Sequence, residues 1–165
     1  MRKAYRREEV LDTPAAVVAG LIAGLVYVVV QAVLHLVVSG QGLGPALRHT
    51  AATLIGRWST PATDSLPLLP TLLAVLVHFV VAVILALVLV VIARRWRMLL
   101  TLAAGLVLGL VVYVVVFYLL QTRLTWLADY RGWESLVSYL AFGGVAGVLY
   151  ELFERDRVVS HHLDQ

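Results

Sequence analysis

AGLIAGLVYVVV at residues 19–30 returns as AGLVLGLVVYVVV at residues 104–116. Each copy lies inside an uninterrupted apolar run, and roughly 20 such residues cross a bilayer as a helix. Self-similarity at this distance reads as a duplicated two-helix membrane hairpin. The composition agrees. The 165 residues are 61% apolar and 14% charged, whereas soluble domains are about 45–50% apolar and about 25% charged.

Four runs qualify as spans: residues 15–38, 69–93, 98–120 and 136–153. The expected fold class is therefore all-α, a four-transmembrane-helix bundle of two parallel-repeated helical hairpins forming one integral membrane domain. The fourth run is the shortest and carries Ser138, Gly143, Gly144 and Gly147, so it reads as the weakest span, dependent on packing. The N-terminal run is read as a retained span rather than a cleaved signal. It is longer than an h-region, Glu8, Glu9 and Asp12 precede it, and no A-x-A site follows.

With four spans both termini share one side. That side collects Arg2, Lys3, Arg6, Arg7, Arg94, Arg95, Arg97, Arg155 and Arg157, against Arg48, Arg57, Arg123 and Arg131 on the other. The excess places both termini in the cytoplasm. The net charge of +3 is thereby explained by topology, and no nucleic-acid partner is expected. The first outer loop holds an amphipathic segment, residues 45–58, with Leu47, Ala51, Leu54, Ile55 and Trp58 on one face. It reads as a short outer interfacial helix or as a loop ordered by a partner. Prolines at 61, 67 and 70 then read as an extended lead-in. The second outer loop carries Trp126, Tyr130 and Trp133, which with Trp58 read as interfacial anchors.

Small-residue spacing recurs at Gly20/Gly24, Gly105/Gly109 and Gly143/Gly147, and Ala16 extends the first pair. Such stripes let helices approach closely, so these residues are read as helix-packing positions. No central charge or obvious helix break interrupts a span, which argues against an ion-coupled transporter.

The intramembrane polar residues are Gln31 and His35 one turn apart, His78, Tyr113, Ser138 and Tyr139. Counting 1.5 Å per residue puts all of them in the outer half. In one reading they satisfy one another, a Gln31–His78 hydrogen bond tying the first hairpin. In another, Gln31, His35, His78 and Tyr139 form a cofactor-binding pocket for a quinone or pigment headgroup. In a third, haem sits between His35 and His78, although axial ligands must face one another at one depth and these depths differ by several ångströms. Glu151 and Glu154 lie beside Arg155 and Arg157, as at an ordinary solvated helix end. The absence of cysteine removes thiolate chemistry, and His161-His162 is too short for a metal site. No catalytic residue or metal ligand is assigned, and no enzyme activity is expected.

The phrases GLIAGLVYVVV, VHFVVAVILALV, AAGLVLGLVVYVVVFYLL and SYLAFGGVAGVLYELF together resemble a family of small uncharacterised four-span bacterial membrane proteins, some of which carry a misleading sodium:proline symporter label. The resemblance covers most of the chain. In that family the second and fourth spans tend to carry a His opening H-[FL]-V-[FV]-[GAS]; here His78 fits, while Tyr139 opens the equivalent YLAFG. The resemblance implies a bacterial inner-membrane location and no enzymatic activity. The expected role is a non-catalytic accessory or scaffold subunit packed against larger membrane proteins, as in a respiratory or photosynthetic energy-transducing complex. The alternatives are a small channel or transporter working as a homo-oligomer, and a haem- or quinone-binding membrane protein.

Overall fold

A computed structural model describes residues 13–40, 68–93 and 98–163 of the chain. The amphipathic segment 45–58 with Trp58, the Arg94–Arg97 turn and the N-terminal basic cluster lie outside the described residues. So do the side chains of Trp126 and of the residues after Phe153. All regular structure described is helical: α1 (Thr13–Ser39), α2 (Leu68–Ala93), α3 (Met98–Val114) and α4 (Trp133–Leu163). Each of the four is long and apolar enough to cross a membrane, α3 with the turns that follow it.

Local chemistry sets the ends. Pro14 sits in the first turn of α1, where a missing N–H costs nothing. Gly40 closes that helix with φ +66° and donates its N–H to the Leu36 carbonyl at 3.0 Å, a left-handed stop that glycine adopts without Cβ strain. Pro70 falls in the first turn of α2 rather than in an extended lead-in. The missing N–H of a proline is tolerated there for the same reason.

The third span is one continuous helix to Thr122, but not a uniform one. A π turn occupies Val115–Leu119, with the Leu120 N–H bonded to the Val115 carbonyl, and a 3-10 turn follows at Leu120–Thr122. The buried stripe on this span explains the wide turn. Thr101, Gly105, Gly109, Tyr113 and Phe117 are all buried and step by four residues. A straight 3.6-residue helix would carry such a stripe around its surface by about 40° per step. A π turn rotates less per residue and returns Phe117 to the packed face.

The helices form a row in the order α2, α1, α4, α3. The α3–α4 contact is the most extensive, then α1–α4, then α1–α2, whereas α2 meets α3 and α4 only marginally. The fourth span is the shortest and least apolar of the four, 21 residues at mean hydropathy 1.6, as its sequence suggests, and it depends on packing. It belongs to the longest helix and is the most buried of the four, with 44% of its apolar window buried against 33% for α1 and 22% for α2 and α3. Its glycines are the reason. The Gly143 backbone lies directly against Gly105, and Gly109 directly against Tyr139, so closely that a Cβ on either would collide with carbonyl oxygens. Gly147 lies against the Thr101 carbonyl. Gly20 and Gly24 approach α2 less closely, where a Cβ would meet the Ala86 and Ala82 methyls at 2.9 Å. Ala16, with Ala15 and Ala19, packs instead with Val90 and Tyr150. Every predicted packing residue is thus buried between helices.

Candidate functional site

Two faces of α1 organise the polar residues. Toward α2, Gly24 lets His78 approach, and the imidazole Nε2–H donates to the Gly24 carbonyl at 2.9 Å. Toward α4, Gln31 is 1% exposed and accepts a 2.7 Å hydrogen bond from the Ser138 hydroxyl, which also contacts the Glu134 carbonyl at 2.8 Å. The expected Gln31–His78 bond is therefore replaced by two others. The register explains this: Gly20 opposite Ala86 and Gly24 opposite Ala82 place His78 near the level of Val28, while Gln31 projects from a different face.

The same register places His35 seven residues beyond that level, about 10 Å along the axis. Axial haem ligands must reach one iron from opposite sides at one depth. His35 and His78 do not fit that arrangement. Among the described residues no group of three or more His, Asp or Glu could hold a metal ion.

The structure adds Tyr27, which the sequence reading left out. Its ring centroid lies 5.2 Å from that of His78 and 5.0 Å from that of Tyr139, and the two phenols are hydrogen-bonded to each other. Tyr139 continues the chain of rings to Phe117 and Tyr113, both 6.2 Å away. Edge-on ring pairs at these separations are favourable, about 0.5–1.5 kcal/mol each. A signal for Tyr27 was present in the sequence: it precedes Gln31 by one turn, hence shares its face, and it heads the repeated YVVV phrase.

Tyr27, His78 and Tyr139 converge on a cavity of about 290 Å³ at the seam between α2 and α3. Among the described residues they are the only polar ones on its wall, the rest being aliphatic or Phe142. Leu127, from the 3-10 turn Thr125–Tyr130, is 1% exposed and packs with Tyr113 and Phe117, closing one end. This connection is held in place by Tyr113 donating to the Gly132 carbonyl at 3.4 Å, Ser135 donating to the Tyr130 carbonyl at 3.0 Å, and the Arg131 guanidinium over the Tyr118 ring at 5.1 Å. Of the expected interfacial anchors, Trp133 is exposed and Tyr130 half-buried against the Tyr113 cluster. Gln31 and His35 lie outside the cavity wall.

No known protein family matches the chain, nor does any curated protein or solved structure.

Proposed function

We propose that four apolar helices of this kind, cross-tied by their polar side chains, make a non-catalytic accessory subunit of the bacterial inner membrane, assembled against larger membrane proteins. The observation that carries this reading is the use made of the polar groups. Gln31 with Ser138 and His78 with Gly24 tie α1 to its neighbours on both sides. Such interhelical bonds contribute about 0.6–2 kcal/mol each in a membrane. Their effect is to fix one arrangement of helices.

The same reading takes the chain as a parallel duplication of one hairpin. Gly20 meets α2 at Ala82 and Ala86, as Gly105 meets α4 at Gly143; Gly24 meets His78 and Ala82, as Gly109 meets Tyr139 and Gly143. These matched contacts support a common ancestral hairpin, with both termini in the cytoplasm by the positive-inside rule.

Extraction of the tagged chain from native membranes in a gentle detergent tests the assignment. Larger subunits should accompany it at fixed stoichiometry; recovery of the chain alone, as a monomer or homo-oligomer, overturns it. Because the sequence has no cysteine, a single cysteine at either terminus reports topology, and both should resist an impermeant maleimide added outside the cell.

A further inference from the structure

Two seams join the hairpins, and they differ. The α1–α4 seam is closed by the Gln31–Ser138 bond and by alanines packed under Phe142 and Tyr150. The α2–α3 seam is open, and the cavity lies in it. Its lips include Val77 and Val81 on α2 and Leu120 after α3, at 38%, 40% and 42% exposure, so it faces sideways toward lipid rather than along a pore.

Polar accounting describes what it would hold. His78 donates through Nε2 to the Gly24 carbonyl, so Nδ1 is the acceptor nitrogen of a neutral ring. No donor among the described residues reaches Nδ1. Tyr27 and Tyr139 share one hydrogen bond, leaving one of their two hydroxyl hydrogens without an acceptor among the described residues. Polar groups in an apolar wall are costly when unmatched. The complement is a neutral molecule that both donates and accepts. No Lys or Arg among the described residues lines the cavity, so an anionic head finds no counter-charge there. A cavity of roughly 150 Å³ already admits benzene, so about 290 Å³ suits one substituted ring, bordered by Tyr27, His78, Tyr139 and Phe142.

We infer that the α2–α3 seam binds the phenolic or hydroquinone head of a lipophilic molecule, its hydroxyls paired with His78 Nδ1 and the Tyr27–Tyr139 phenols, and its apolar tail leaving between the helices. This site stands independently of assembly with larger subunits. A quinone offers acceptors only and leaves Nδ1 unmatched, so the reduced form binds more tightly.

The test is calorimetric titration of the purified full chain in lipid nanodiscs with a decyl-substituted benzohydroquinone, the corresponding benzoquinone, and decylbenzene. The hydroquinone should bind at one per chain, about tenfold tighter than the quinone, the factor one hydrogen bond is worth. His78→Phe, which keeps a ring but removes the acceptor, should erase that difference. Val81→Phe, at the exposed lip, should narrow the cavity and weaken all three without touching the polar groups. Equal affinity for the three probes, a preference that survives His78→Phe, or hydroquinone binding unchanged by Val81→Phe would each overturn the assignment.

Discussion

The most apolar of the four helices, α2, lies at the edge of the row, while the least apolar, α4, lies between two neighbours with twice the share of its span buried. In a soluble protein the ranking would be reversed, because water drives the most apolar helix inward. Lipid tails are as apolar as leucine, so hydropathy gives no preference between lipid and a neighbouring helix. What draws α4 inward is the close fit of Gly143 and Gly147 against α3 and the bond from Ser138 to Gln31. Helix α2 buries one stripe, Ala74, Ala82, Ala86, Leu89, Val90 and Ala93, and leaves many large aliphatic side chains exposed.

Substitutions should separate the two helices sharply, starting with Gly143→Ala. Its methyl would strike the Gly105 carbonyl, an atom of the backbone that cannot rotate away, so reversible unfolding in mixed micelles should show a loss of about 3 kcal/mol. A loss under about 0.5 kcal/mol would mean that α4 does not owe its place to close approach. Next is Ser138→Ala, which removes the hydrogen bond to the buried Gln31 carbonyl oxygen and should lose about 1–2 kcal/mol. Adding Gln31→Leu should recover part of that loss, and simple additivity in the double-mutant cycle would disprove the pairing. On the α2 side, Gly24→Ala meets the Ala82 methyl at 2.9 Å and the Phe79 ring at 3.3 Å, a milder overlap that a slight separation of α1 from α2 relieves, and should cost about 1 kcal/mol. Smallest of all is Val91→Ala on the exposed face of α2, expected within about 0.5 kcal/mol of the parent. A larger loss there would place a packing contact on a face that the row leaves open.

The spans at 15–38 and 69–93 agree with α1 and α2 to within two residues at each end, because a run of aliphatic residues is a local property. Residues 98–120 were legible as a span but not as a π turn, since the four-residue stripe from Thr101 to Phe117 becomes informative only when α4 is seen to face it. Among the polar residues, Gln31, His78, Ser138 and Tyr139 were legible as groups that need partners. The pairing of Gln31 with Ser138, 107 residues away, was not. Depth counted along separate helices says nothing about which faces meet, and one misjudged face exchanged His78 for Ser138.

The sequence by itself determined that this chain forms four helices able to cross a membrane and which small residues lie where helices touch. Both follow from local chemistry: a backbone without water must satisfy its own hydrogen bonds, and glycine alone removes the barrier to close approach. Only the tertiary structure decided the order of helices, the central place of the least apolar one, and the convergence of Tyr27, His78 and Tyr139 on an open seam. Those depend on the fit of one surface to another, which composition does not record in a solvent as apolar as the helices themselves.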